Sequence, residues 1–238
     1  GIMASGFQND EKAVYIDIGT NGELVALKDG NIICTSTAVG PALEGMNIEC
    51  GCRAEEGAIE RFDIDEDYNI HYSTIGNVKA KGICGSGLID IAGALVKRNI
   101  ITKSGRWNKD IHPKLVERLV DKKFYITEDV YISQKDIRQI QLAKGAIAAG
   151  ITMLLDQIGL KIEDIPLIYI AGAFGYHINP DSIKEIGLIP KGFKGDIKFL
   201  GNTSLEGARL VLINRDCYEK VYDIRYNMEV LELSLKEN

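Results

Sequence analysis

The sequence predicts an α/β fold in which a mixed sheet, opened by antiparallel strands, is flanked by helices. Three observations support this prediction. The chain opens with short β-branched runs separated by glycine-rich turns. Longer segments with helical periodicity and capping residues follow. A late apolar run, Leu167 to Gly172, has the pattern of a central strand. The 238 residues suffice for one large domain or two small ones.

Composition excludes several classes of protein. Hydrophobic residues make up 45% of the chain and the formal net charge is −6, which gives no electrostatic basis for binding nucleic acid or an anionic membrane. No apolar run approaches the roughly 20 residues that span a bilayer. The N-terminus lacks the pattern of a signal peptide. The odd number of cysteines, five, favours reduced thiols, so the expected location is cytoplasmic.

The first half of the chain is predicted to be rich in strands. Three antiparallel strands are expected at 13–18, 23–27 and 31–35, the last two joined by an Asp-Gly turn. A glycine-rich segment without clean periodicity follows at 39–62. Further short strands are predicted around 70–74 and 77–81. The GICGSG segment, Gly82 to Gly87, is then expected to start a helix from about Leu88 to Lys97, with Ser86 as its N-cap.

The second half alternates strands and helices. Short strands are predicted between 124 and 132, and Ser133 with Asp136 resembles a capping box that opens the longest helix, about 134–158. Small residues at 145–150 predict close packing against that helix. A strand at 167–172, a short helix from Asn179-Pro180, the DIKFLGN strand and a helix capped at Thr203 follow. This organisation predicts one lobe over 1–215 and a tail over 216–238.

The first hairpin, YIDIGTNGELV, carries more polar groups than a turn requires. Gly19 and Gly22 let the backbone approach a ligand, while Thr20 and Asn21 add donors for a phosphate. Asp17 at the strand end can hold Mg²⁺ through water or orient an attacking water, and Glu23 is the second candidate catalytic carboxylate. A β-turn that uses Asp and Asn as turn formers explains the same residues.

Two further glycine segments have the same ambiguity. AGAFG, 171–175, follows an apolar strand, and its small residues would let a flat ligand lie on the backbone. In GICGSG, Gly85 and Ser86 lie at a helix N-terminus, where free N–H groups favour an anion. Tight connections between elements are the alternative explanation for both segments.

The order of these segments resembles the nucleotide-binding lobe of the actin, sugar-kinase and DnaK-type chaperone superfamily, a ribonuclease H-like lobe. The resemblance implies that the hairpin is a phosphate loop and that AGAFG binds adenosine through Gly172, Ala173, Phe174 and Gly175. It also implies that Gln141 and Lys144, three apart on the long helix, flank the adenine. A solvated helix face explains these two residues equally well.

Five segments together show a closer resemblance: IDIGTNGEL, GPALEGMNIECGCRAEEGAIE, GICGSGLID, IAGAFG and GNTSLEGA. They resemble the C-terminal region of the reductive activators of corrinoid proteins, from about Gly1 to Leu212. The resemblance implies a protein that couples ATP hydrolysis, with Mg²⁺, to one-electron transfer from a [2Fe-2S] domain. The electron returns a Co(II) corrinoid protein to Co(I).

The departures from that family suggest a fragment. No C-x₄-C-x₂-C pattern occurs, so the [2Fe-2S] cluster is expected only in a missing N-terminal part. A single phosphate hairpin is present, it resembles the family's second, and GIMASG at the start reads like the end of a helix. We therefore expect the second lobe alone, without activity in isolation.

Two other functions stay open. The lobe can be a non-catalytic module that forms a homodimer through the small-residue helix and docks the corrinoid protein. It can also be a small-molecule kinase of the same superfamily, although no sugar-binding segment is recognisable. Cys50, Cys52 and Cys84 invite a metal-cluster interpretation, but C-x-C without a second pair is poor ligand spacing, and buried thiols explain them as well.

Overall fold

The computed structural model describes residues 1–102, 104–172 and 178–233. The chain divides into two compact units. Unit 1 comprises Gly1–Ala38, Ala146–Tyr176 and Ile189–Asn238, and unit 2 comprises Val39–Gly145 and His177–Leu188. None of the helices in the described ranges is long and apolar enough to cross a membrane.

The elements follow one another in this order. The strands are β1 (Lys12–Ile18), β2 (Gly22–Lys28), β3 (Asn31–Thr37), β4 (Ala58–Ile64), β5 (Ile70–Thr74), β6 (Gly82–Ile83), β7 (Leu119–Val120), β8 (Lys123–Tyr125), β9 (Tyr131–Ser133), β10 (Leu167–Gly172), β11 (Asp196–Gly201) and β12 (Met228–Val230). The helices are α1 (Ile2–Ser5), α2 (Gly85–Lys97), α3 (Pro113–Val116), α4 (Gln134–Ile158), α5 (Pro180–Ile186), α6 (Thr203–Ile213) and α7 (Arg215–Tyr226).

Unit 1 is built on a six-stranded mixed sheet in the order β11-β10-β1-β2-β3-β12. β1, β2 and β3 pair antiparallel, which confirms the predicted opening of the chain. β10 runs parallel to β1, and β11 runs parallel to β10. On one face of the sheet Phe7 packs edge-on against Tyr15 and Tyr169, with ring centroids 6.0 and 5.9 Å away. The segment beyond residue 215 forms α7 and then β12, which adds a parallel strand beside β3.

Unit 2 contains two three-stranded sheets, β5-β4-β6 and β7-β8-β9. The strand predicted at 77–81 is wrong: residues 75–77 form a short 3-10 turn, in which Gly76 has a φ of 79°, and residues 78–81 form no strand. β5 pairs instead with β4, which begins in the segment without clean periodicity and extends two residues beyond it. Within β4 a register shift between Ile59 and Arg61 interrupts the ladder, and such an irregularity obscures strand alternation.

The cap of α4 is as predicted, whereas two other caps differ. Ser133 N donates to Asp136 Oδ2 at 2.8 Å and Asp136 N donates to Ser133 Oγ at 3.2 Å, a reciprocal capping box. α2 begins at Gly85 with Cys84 as its N-cap, so the prediction of Ser86 is corrected. For α6 the N-cap is Asn202, whose side chain accepts from Leu205 N, and not Thr203.

Replacing Asp136 with alanine is expected to destabilise the chain by about 2–3 kcal/mol. The buried carboxylate accepts from Ser133 and also from Glu49 N at 3.0 Å, and its removal leaves those donors unsatisfied. Urea unfolding would measure the change. Asp156→Ala, near the exposed C-terminal end of α4, is the matched control and should stay within about 0.5 kcal/mol of wild type. An equal effect of the two changes would contradict the capping role.

The small residues of α4 are explained in part by packing inside unit 1. A Cβ atom on Gly150 would lie 2.4 Å from Leu24 Cδ1 and 2.7 Å from Thr37 Cγ2, whereas one on Gly145 would meet nothing within 4 Å. We therefore expect Gly150→Leu to lower the free energy of unfolding by about 1–3 kcal/mol or more through overpacking. Gly145→Ala should raise it by up to about 1 kcal/mol, because alanine is the better helix former. Opposite signs in thermal unfolding are the expected outcome, and equal effects would contradict it.

Candidate functional site

The polar residues of the first hairpin lie at one edge of the unit 1 sheet. Asp17 pairs with Glu23 across β1 and β2, so the two carboxylates are cross-strand neighbours. Gly19 N donates to Asn21 O at 2.9 Å and closes the turn. The exposed members of the turn are Thr20, Asn21 and Glu23, whereas Asp17 is half-buried. Hydroxyl, amide and carboxylate groups are therefore accessible to a ligand at this turn.

Three connections leave the sheet at this same edge. β1, β10 and β11 run parallel, with Ile18 in register with Gly172 and Ala171 in register with Gly201. The carboxyl ends of adjacent parallel strands lie side by side, and ligands of α/β proteins commonly bind there. The hairpin, the loop after β10 and the turn into α6 thus begin as neighbours.

Gly172 is required by the backbone as much as by any ligand. Its φ is +120°, and a Cβ atom would lie 2.3 Å from Ile18 O on the neighbouring strand. The strand contact alone therefore accounts for glycine here. Ala173, Phe174 and Gly175 lie outside the described residues, so adenosine binding by this loop, including Gly172, stays a prediction.

The first turn of α6 is hydrogen-bonded to β1. Ser204 Oγ donates to Asp17 Oδ2 at 2.9 Å, and Thr203 Oγ1 lies 2.6 Å from Tyr15 Oη in a buried hydrogen bond. Tyr15 and Asp17 are two residues apart, so they lie on the same face of the strand. Our sequence prediction of the site did not include Ser204. The GNTSLEGA segment, which places hydroxyls directly after a strand, was the available signal.

The Tyr15 hydroxyl stays protonated next to the carboxylates of Asp17 and Glu23. Burial raises the pKa of Tyr15 to about 12, and the negative charge of Asp17 acts in the same direction, while the hydrogen bond to Thr203 opposes the shift. Tyr15 therefore serves as an uncharged anchor for α6 across the neutral pH range.

Asp17 and Glu23 form a like-charged cross-strand pair. Neither carboxylate belongs to an ion pair among the described residues. Glu23 Oε1 does accept a hydrogen bond from Ser36 Oγ at 3.5 Å. Like charges directly opposite each other destabilise a strand pair. Mg²⁺ prefers one or two carboxylates together with water and phosphate oxygens, so these residues fit the cation that the sequence predicted.

The GICGSG segment serves packing in unit 2. Gly85 and Ser86 are buried at the start of α2. A Cβ atom on Gly87 would lie 2.1 Å from Ile59 O, so the close contact between α2 and β4 requires glycine there. Phosphate contacts from Gly85 and Ser86 stay predictions.

Gln141 and Lys144 are both engaged within unit 2. Lys144 Nζ donates to Ile186 O at 2.5 Å, which ties α4 to the end of α5. Gln141 Oε1 accepts from Arg138 Nη1 at 2.5 Å, one turn earlier on α4. Adenine contacts from these two side chains stay predictions.

All five cysteines are free thiols. Within the described ranges no group of three or more His, Cys, Asp or Glu side chains is placed to hold a metal ion. Burial raises the pKa of Cys52 to about 11, and Cys84 and Glu55 add to the shift. Cys84 Sγ donates to Ile59 O at 3.3 Å. The Cys52 thiol is therefore protonated at neutral pH, which favours the structural interpretation of this residue.

Comparison with known proteins gives a consistent family. A family model described as the C-terminal domain of RACo, the ASKHA domain, matches residues 11–238. Among solved structures, the reductive activator for corrinoid,iron-sulfur protein superposes with a TM-score of 0.88 at 35% identity, covering 99% of this chain and 39% of that one. The predicted actin-like fold, a mixed sheet with flanking helices, is thereby confirmed.

Two curated relatives are similar over nearly the whole chain. The corrinoid activation enzyme RamQ of Eubacterium limosum is 37% identical over 228 residues, which are 89% of this chain and 38% of the relative. The [Co(II) methylated amine-specific corrinoid protein] reductase of Methanosarcina barkeri is 30% identical over 236 residues, 90% of this chain and 41% of the relative. The chain spans about two fifths of the length of each of these proteins.

Proposed function

Because the chain belongs to the family of RACo C-terminal ASKHA domains, we propose that it is the ATP-binding part of a reductive activator of a corrinoid protein. In this proposal ATP hydrolysis drives the one-electron reduction of Co(II) corrinoid to Co(I). The names of the relatives, which concern corrinoid activation and Co(II) reduction, support the choice of substrate.

The observation that carries the proposal is the shared sheet edge in unit 1. The hairpin with its two carboxylates, the loop after Gly172 and the hydroxyl-bearing turn into α6 all begin there. Phosphate binding needs donors that approach closely, and the exposed turn at Thr20 and Asn21 supplies them.

Each group has a proposed role. The hairpin backbone at Gly19 and Gly22, with the side chains of Thr20 and Asn21, binds the phosphates. Mg²⁺, when bound, neutralises phosphate charge, and Asp17 holds its water shell or orients the attacking water. Glu23 is the second carboxylate beside it. The electron donor, a [2Fe-2S] cluster, is expected outside these 238 residues.

Amide hydrogen exchange with and without MgATP tests the proposal directly. In the natural protein that carries this chain, we expect protection at 17–23 when nucleotide is added. The other hairpin of the same sheet, at Asp29–Gly30, is the internal control and should exchange at an unchanged rate. No added protection at 17–23 under saturating MgATP would contradict nucleotide binding at this edge.

A homodimer through α4 is a second proposal, and one observation favours it. Leu142 is 68% exposed, and Gly145 on the same face has open space around it. Ala149 and Thr152 continue this exposed row at helical spacing. Small residues along a helix allow a second helix to approach closely.

Sedimentation measures the dimer, and bulk at Gly145 tests the interface. We expect Gly145→Leu to shift the protein from dimer to monomer without lowering its thermal stability as a monomer, since the side chain enters open space. Lys135→Ala, exposed near the N-terminal end of the same helix, is the control. A monomeric wild-type protein, or a dimer unaffected by the leucine, would refute this interface.

A further inference from the structure

We infer that Ser204 is a positioning residue for Asp17, which fixes the carboxylate in the orientation needed for ATP hydrolysis. The inference rests on the function proposed above and extends it to a residue of α6. It assigns a role to the first turn of the GNTSLEGA segment, 187 positions from the hairpin that it contacts.

The geometry leaves part of the carboxylate available. Ser204 Oγ donates to Asp17 Oδ2 at 2.9 Å, and the Tyr15 side chain also forms a hydrogen bond with this carboxylate. Asp17 is half-buried at the sheet edge, so its carboxylate stays partly accessible to a ligand. A carboxylate that holds water or a cation through one oxygen benefits when the other oxygen is anchored, because the side chain then keeps one rotamer.

The anchor is itself held in place. The adjacent Thr203 is buried and bonded to Tyr15 at 2.6 Å, so the start of α6 is fixed to β1 two residues before Asp17. Asn202 caps the helix by accepting from Leu205 N at 2.9 Å. Ser204 thus donates from a rigid first turn, and the N-terminal end of a helix further favours a negative charge beside it.

The first measurement needs no nucleotide. Three-bond couplings to Asp17 Cγ report the χ1 rotamers of Asp17 in this chain. We expect a single rotamer in wild type and in Ser204→Thr, and averaging over two or more rotamers in Ser204→Ala. Thr152→Ala, which removes an exposed hydroxyl from α4, is the matched control and should leave Asp17 unchanged. One rotamer in Ser204→Ala would overturn the inference.

The second measurement is ATP hydrolysis by the natural protein. We expect Ser204→Ala to lower kcat about 10-fold with KM for ATP changed less than 2-fold, and Ser204→Thr to restore most of the rate. Averaged rotamers with an unchanged kcat would overturn the positioning role while leaving the proposed function standing. A wild-type protein that hydrolyses no ATP would instead overturn the proposed function, and this inference with it.

Discussion

The Asp17→Asn variant is expected to hydrolyse ATP at least about 100-fold more slowly than the wild-type protein. Asparagine keeps the shape of the side chain and its oxygen can still accept the hydrogen bond from Ser204 Oγ, so the change removes the charge and replaces one acceptor oxygen with an amide donor. A preorganised carboxylate that holds the cation or orients the attacking water is a group whose removal commonly costs two to three orders of magnitude in rate. The loss should appear in kcat, with the apparent affinity for Mg²⁺ lowered as well.

Steady-state hydrolysis by the natural protein, at saturating ATP over a series of Mg²⁺ concentrations, measures the effect. Asp29→Asn is the matched control because it removes the same charge at the β2–β3 turn, where the residue has a φ of 50° that asparagine tolerates. Glu23→Gln distinguishes the contribution of Glu23 from that of Asp17. It should lower the rate of ATP hydrolysis less than Asp17→Asn does if Asp17 is the principal group. A full rate in Asp17→Asn would exclude Asp17 from the reaction.

Much of the fold could be predicted from short stretches of sequence. α4 runs over the predicted 134–158 because its first turn carries a complete capping box and its apolar residues recur at helical spacing. The opening strands were predictable because β-branched residues and an Asp-Gly turn specify a hairpin locally. These elements depend on interactions between residues near one another in the chain.

The remaining errors concern contacts between distant residues. β4 escaped prediction because its ladder is irregular and its parallel partner β6 begins 18 positions after β4 ends. The helix α6 was predicted, but its cap was placed one residue late, since the hydroxyl of Thr203 bonds to Tyr15 across the unit instead of to its own helix. The role of Ser204 toward Asp17 was beyond local pattern for the same reason.

Glycine is the residue whose role the sequence leaves most ambiguous. A glycine at a strand end can allow either a ligand or a neighbouring backbone to approach closely, and the sequence does not distinguish the two. At Gly150 the structure shows contact with side chains of the same unit, and at Gly172 it shows contact with the backbone of β1. Unfolding measurements on a Gly172 variant test whether the residue is required for the strand contact or for nucleotide binding.

Gly172→Ala is expected to lower the free energy of unfolding by about 4 kcal/mol or more in the absence of any nucleotide. The new methyl group would lie 2.3 Å from Ile18 O, which is closer than real contacts allow, and the φ of +120° is one that side-chain-bearing residues rarely adopt. Relief of the clash requires β10 to separate from β1, and these are adjacent strands inside the six-stranded sheet.

Gly30→Ala distinguishes the clash from the backbone strain. Gly30 has a φ of +84°, but a Cβ atom there would meet nothing within 4 Å, so alanine should cost only about 1–2 kcal/mol. Urea unfolding of both variants is monitored by far-ultraviolet circular dichroism. The difference between their losses in free energy of unfolding measures the cost of the clash with β1. If Gly172→Ala instead unfolded at the wild-type midpoint and lost only MgATP binding, the glycine would be serving the ligand and the close approach of β10 to β1 would be wrong.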